Sequence, residues 1–176
     1  MCGIAGIVDG EHRMKYRNQQ AVEEMLDTMK RRGPDQQNIY TDEAVTLLHA
    51  RLSVMDLQHG KQPMQLKSDP RYVMVYNGEL YNTEELRREL QKKGYAFQET
   101  SDTEVLLQAF IEWKETVVER LNGIFAFAVW DKKAHRLFMA RDRMGVKPLF
   151  YTLQEGAMLF ASEMKALLAH PQIPAI

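Results

Sequence analysis

The period of the apolar positions changes several times along the chain. Cys2–Asp9 (CGIAGIVD) is small, apolar and partly β-branched, which predicts a buried strand at the N-terminus. Between Asn18 and Arg31, the residues Val22, Met25, Leu26 and Met29 recur at helical spacing, and Gly33-Pro34 stops the helix. Short strands are predicted over Gln37–Thr41, Val45–His49 and Leu52–Leu57, followed by a polar loop over 58–71 that contains Pro63 and Pro70. Tyr72–Tyr76 (YVMVY) reads as a strand closed by the turn pair Asn77-Gly78. Asn82, with Glu85 three residues on, reads as a capping box for a helix through Leu86 and Leu90 to Lys93, ended by Gly94. Ser101-x-x-Glu104 opens a second helix bearing Val105, Leu106, Ala109 and Phe110. After Asn122-Gly123, the segment Ile124–Asp131 is apolar on both sides of its pleat, so both faces must be covered. Strands over Arg136–Arg141, Leu149–Leu153 and Ala157–Ala161 and a short helix over Met164–Ala169 complete the set.

Strand, helix, several strands, two helices and several strands is the order of an α+β fold with mostly antiparallel sheet, not of alternating βαβ units. Two stacked sheets with helices outside would bury the doubly apolar strands. A length of 176 residues suits one core. A formal net charge of -1, from 23 Lys and Arg against 24 Asp and Glu, gives no footprint for nucleic acid. The longest purely apolar run, Ile124 to Trp130, is far short of the roughly 20 residues of a membrane helix. The N-terminus lacks the basic start and long apolar region of a signal peptide. One cysteine excludes an internal disulfide and a Cys-rich zinc site, and the expected compartment is the reducing cytoplasm. No metal site is expected, because the five histidines are scattered and no H-x-x-x-H or H-E-x-x-H occurs. Phosphate-loop, dinucleotide-binding and G-x-S-x-G patterns are also missing.

The position of the one cysteine matters. Removal of the initiator methionine would leave Cys2 with a thiol and a free α-amine that titrates near about 7.7–8.0, a usable general base beside its own nucleophile. The bland alternative is an inert strand cysteine. A thiolate attacking an amide needs donors for the developing oxyanion, and the Asn77 side chain with the Gly78 N–H can supply them, unless the pair is a plain hairpin turn. An amino-acid substrate calls for an arginine on its carboxylate and an acid on its ammonium. Arg51 and Asp102 are candidates; a surface ion pair and an N-cap are their alternatives, and spacing does not separate Asp102 from Asp35, Asp56 or Asp142.

The run of motifs MCGIAGI (1–7), RRGPD (31–35), HARLSVMD (49–56), QPM (62–64), YNGELYN (76–82), SDTEV (101–105), GIFAFAVWD (123–131), RDRMGVKPLFY (141–151) and FASEMKAL (160–167) spans nearly the whole chain. It resembles the N-terminal class II (N-terminal-nucleophile, Ntn) glutamine amidotransferase domain of glutamine-hydrolysing asparagine synthetases. That resemblance implies a four-layer αββα sandwich of two antiparallel sheets between helices, with residues 1–176 forming one glutaminase domain. It implies Cys2 as nucleophile and Asn77 and Gly78 as oxyanion hole. Arg51 would bind the glutamine α-carboxylate and Asp102 the α-ammonium with help from Glu79, while backbone near Leu52 and Val54 lines the pocket. Ala50 and Phe150, where Glu and Tyr are common in the family, are mild departures. The S-G-G-x-D-S loop of the family's larger C-terminal domain does not occur in these 176 residues. The expectation is an amidotransferase domain that needs no cofactor of its own. ATP and Mg would serve the synthetase domain, the expected covalent partner, and a second copy of the chain is a further candidate partner. The competing expectations are a class II domain serving another ammonia acceptor and a silent docking module of the same fold.

Overall fold

The computed structural model describes residues 2–10, 15–52 and 60–174. In chain order its elements are β1 (Gly3–Asp9), α1 (Gln19–Met29), β2 (Gln36–Thr41), β3 (Val45–Arg51), β4 (Tyr72–Leu80), α2 (Thr83–Lys92), α3 (Asp102–Trp113), a 3-10 turn (Lys114–Glu119), β5 (Gly123–Asp131), β6 (Arg136–Arg141), β7 (Phe150–Gln154), β8 (Ala157–Ala161) and α4 (Met164–Leu168). One sheet has the order β2-β3-β1-β8-β7 and the other β4-β5-β6. Every named pair is antiparallel.

Side-chain alternation assigns each strand face to a layer. On β4, Val73 and Val75 join Ala126, Ala128 and Trp130 of β5 and Ile4, Val45, Leu47 and Phe160 of the other sheet in a cluster between the sheets. The alternate residues Tyr72, Met74, Tyr76, Phe125, Phe127 and Val129 pack instead on Leu86 and Leu90 of α2 and Val105, Leu106 and Phe110 of α3. On the far side, Ala5, Ile7, Leu48 and Ala50 meet Val22, Met25 and Met29 of α1 and Ala166 and Leu167 of α4. The result is helix, sheet, sheet, helix, the four-layer sandwich expected from the motifs. Trp130 is buried between the sheets with its indole N–H on Asp42 Oδ2 at 2.8 Å, so its polar handle is satisfied.

Two local expectations give way. Asn77-Gly78 does not end its strand: β4 continues to Leu80, and Asn77 and Gly78 face Ala126 and Phe125 of β5. An Asn-Gly pair turns the chain only when the flanking segments pair with each other, and the partner here comes from far along the sequence. Asn82 does not cap α2. Its side chain donates to Arg120 O (2.8 Å) and accepts from Asn122 N (3.0 Å), tying the start of α2 to the entry of β5. Asn18 and Ser101 do cap α1 and α3 through Ala21 N and Glu104 N. Of the strand expected over Leu52–Leu57, Leu52 lies just beyond β3 and the rest falls outside the described residues.

Candidate active site

At one end of the inter-sheet layer a cleft of about 460 Å³ opens, with Cys2, His49, Arg51, Leu52, Asn77, Gly78, Glu79 and Asp102 in its wall. Seven of the eight residues expected to form the site therefore share one cleft. Val54 lies outside the described residues.

The start of β1 brings Cys2 to the cleft mouth, and the RRGPD and S-E motifs hold it there. Arg32 donates through Nη1 to the Cys2 carbonyl oxygen (3.1 Å) and pairs through Nε with Glu163 (2.9 Å). Ser162 accepts from Ile4 N at 2.9 Å and donates its own N–H to Ile4 O. Gly33 lies flat on β3: a Cβ there would sit 2.1 Å from the Ala50 carbonyl carbon, and the Asp35 N–H donates to Arg51 O at 3.0 Å. The Cys2 thiol lies 4.0 Å from Leu52 O.

β4 is an edge strand, so the peptide groups on its outer side need partners from elsewhere. Met74 N donates to Met64 O, Tyr76 N to Gln62 Oε1 and Leu80 N to Asp102 Oδ2. Gly78 belongs to the same alternating set, so its N–H points away from β5, and among the described residues it meets no acceptor. The neighbouring Asn77 is 3% exposed, and its Nδ2 also has no hydrogen-bond partner. Two adjacent, unsatisfied donors in one cleft make an anion-accepting corner. A side chain at 78 is excluded, since a Cβ would run into Ile124 O and come within 2.7 Å of Tyr76 Cε2.

Asp102 is the first residue of α3, beyond the Ser101 cap. Its Oδ2 accepts from the Tyr76 hydroxyl (2.8 Å) and Leu80 N (3.4 Å). Burial raises the Asp102 pKa above the ordinary carboxylate value; the hydrogen bonds from Tyr76, Leu80 and Thr103 pull it back, and Glu79 adds to the rise. Arg51 and Asp102 are thus opposite charges within a single cleft. That suits a zwitterionic ligand, and it is the Ser101 side chain, not Asp102, that caps α3.

The sequence candidates leave out His49, Gln62, Tyr76, Thr103 and Lys147, all of which line the cleft. Strand parity was the available signal for His49, which lies two residues before Arg51 and hence on the same face. It is 1% exposed, and its ring faces the backbone of Tyr76. Burial, reinforced by the Arg51 charge and only partly offset by a hydrogen bond to the Tyr76 backbone, lowers its pKa to about 4, so the ring is neutral near pH 7. No local signal marks Lys147. It reaches the cleft because Asp142 accepts from the backbone N–H of Val146, Lys147 and Phe125, which folds the 142–147 turn against β5.

Among the described residues no group of three His, Cys, Asp or Glu side chains is placed to hold a metal ion, and no helix is long and apolar enough to cross a membrane.

The fold resembles two solved structures, each with 21% identity over 96% of this chain and 43% of the other. One is glutamine phosphoribosylpyrophosphate amidotransferase from B. subtilis, complexed with ADP and GMP, with a TM-score of 0.71. The other is described as the allosteric regulatory enzyme of purine biosynthesis, with a TM-score of 0.70. Closer in sequence are glutamine-hydrolysing asparagine synthetase 3 of Bacillus subtilis, 53% identical over 99% of this chain, and asparagine synthetase 1 of the same organism, 41% identical over 96%. Asparagine synthetase B of Escherichia coli is 37% identical over 96%. The chain spans under a third of each of these three relatives: 28%, 27% and 30% of their lengths. The model of the glutamine amidotransferase domain matches residues 1–175. With that match over nearly its whole length, on a two-sheet sandwich whose end cleft holds the N-terminal thiol, the chain belongs to the glutamine amidotransferase domain family.

Proposed function

We propose that this chain is the glutaminase part of an asparagine synthetase, hydrolysing glutamine to glutamate and ammonia through a thioester at Cys2. The observation that supports this most directly is the pairing of the Cys2 thiol with two unsatisfied donors, Asn77 Nδ2 and Gly78 N–H, in a cleft that also holds Arg51 and Asp102.

In this reading Arg51 takes the α-carboxylate, and Asp102 with Glu79 takes the α-ammonium. Backbone at Leu52 lines the pocket. With Met1 removed, the Cys2 α-amine accepts the thiol proton through a water molecule, because direct transfer within one residue is strained. The thiolate adds to the side-chain amide carbon, and the oxyanion is received by Asn77 and Gly78. The ammonium of Cys2 returns its proton to the departing nitrogen, ammonia leaves, and water activated by the same amine hydrolyses the γ-glutamyl thioester.

In the full protein the ammonia would pass to an activated aspartate. ATP and Mg would act there, on a synthetase domain whose residues lie beyond these 176. The glutaminase half needs no metal in this mechanism. A catalytic thiol that must stay reduced also favours a reducing compartment such as the cytoplasm.

The test is glutamine hydrolysis by the chain and by Cys2→Ala. Ammonia release that disappears in the variant while its melting curve is unchanged supports the proposal. Hydrolysis that persists in Cys2→Ala sinks it.

A further inference from the structure

Tyr76 projects from the helix-facing side of β4, and its ring crosses the bare Cα of Gly78, where a Cβ would meet Tyr76 Cε2 at 2.7 Å. Its hydroxyl then donates to Asp102 Oδ2 at 2.8 Å. The ring is buried at 3% exposure, and its backbone N–H is tied to Gln62 Oε1. The phenol therefore has little freedom. Burial and the adjacent Asp102 charge push its pKa well above the ordinary value, so the hydroxyl keeps its proton and acts as a donor.

Asp102 without Tyr76 would retain only backbone contacts, from Thr103 and from Leu80 N at 3.4 Å from Oδ2. A carboxylate on the first residue of a helix can rotate about χ1 and χ2. One short hydrogen bond from a locked donor selects a single rotamer and directs Oδ1 away from the phenol.

We infer that Tyr76 is a positioning residue for the ammonium site: it fixes Asp102 Oδ2 so that Oδ1 is presented to the α-ammonium of the substrate, making the site selective for α-amino amides over amides that lack the amine. This rests on the proposed role of Asp102. The bare Cα of Gly78 gives the Tyr76 ring its path to Asp102.

The experiment compares the chain with Tyr76→Phe and Asp102→Asn on two substrates, glutamine and 4-carbamoylbutanoate, which is glutamine without its α-amine. Phenylalanine keeps the ring packed over Gly78, and thermal melts verify the fold. Tyr76→Phe should raise KM for glutamine roughly 10-fold with kcat within about 2-fold, because a hydrogen bond to a charged group is lost from a ground-state contact. On 4-carbamoylbutanoate the variant and the parent should be equal within about 2-fold, since Asp102 then has no ammonium to receive. Equal losses on both substrates would overturn the inference, because they would indicate general distortion of the cleft. A raised KM in Asp102→Asn with an unchanged KM in Tyr76→Phe would also overturn it while leaving the role of Asp102 intact. An unchanged KM for glutamine in Asp102→Asn would overturn the ammonium-site assignment itself, and the inference with it.

Discussion

The Arg32 guanidinium holds the carbonyl of Cys2 at 3.1 Å while its Nε reaches Glu163 at 2.9 Å, so one side chain joins the residue before Gly33 to Cys2 and to the start of α4. Both charged side chains are mostly shielded, at 14% and 25% exposed. If Cys2 is the nucleophile, Arg32→Ala should lower kcat more than it raises KM, because the thiol is displaced while Arg51 and Asp102 keep their places. It should also lower the melting temperature by roughly 2–8 °C, as expected for loss of about 1–2 kcal/mol in a chain of this size. Arg32→Lys should recover only part, since an ammonium lacks the fork that spans both partners. Calorimetry and steady-state kinetics on the same preparation check this; an unchanged kcat in Arg32→Ala would refute it.

If Arg51 receives the α-carboxylate, Arg51→Ala should act mainly on KM. Hydrogen bonds to a charged group contribute about 1.5–3 kcal/mol, which corresponds to roughly 10- to 150-fold in kcat/KM. Arg51→Lys should stay well below the parent because bidentate geometry is lost. Kinetics equal to the parent in Arg51→Ala would return the residue to a purely structural role beside His49.

The choice of base predicts a strict dependence on Met1. While Met1 is attached, the Cys2 nitrogen is a peptide amide, planar and unable to accept a proton. Positioned general-base catalysis is typically worth about 10²–10⁴-fold, so chains retaining Met1 should be slower by at least that factor. After removal of Met1, activity should fall as the pH drops below the α-amine value of about 7.7–8.0. Intact mass and ammonia release measured on the same sample provide the check. Turnover at the processed rate by chains confirmed to carry Met1 would show that the α-amine is not the base.

His49 links the cleft to stability. Its pKa is about 4 in the folded chain against about 6.5 when unfolded, so between those values the unfolded state binds the extra proton. The associated stability is fully present above about pH 6.5 and is lost as the pH falls toward 4, amounting to about 3 kcal/mol. His49→Gln should flatten the pH dependence of unfolding in that window, while the carboxylates held below their ordinary range, such as Asp142 and Glu163, contribute to both proteins alike. Urea unfolding at intervals from pH 4.5 to 7 measures it. Parallel curves for the two proteins would mean that the ring does not lose its proton on folding.

The layers are legible in the order and periodicity of the elements. Period-2 and period-3.6 patterns located the strands and helices to within a few residues, and the doubly apolar Ile124–Asp131 required cover on both faces, which the two sheets and α3 provide. The sequence also marked the chemical types, because a thiol at position 2 and an Asn-Gly pair are visible without coordinates. Tertiary structure decided how Asn77-Gly78 is used. Local preference favours a turn, but pairing with β5 extends the strand to Leu80 and leaves it at a sheet edge with the Gly78 N–H facing outward. It also brought Tyr76 onto Asp102, 26 residues away, and set His49 among the cleft residues. Periodicity reports which face of an element is buried, because burial depends on side chains a few residues apart. Which strand lies at an edge, and which buried polar atom is left without a partner, depends on pairing between distant segments.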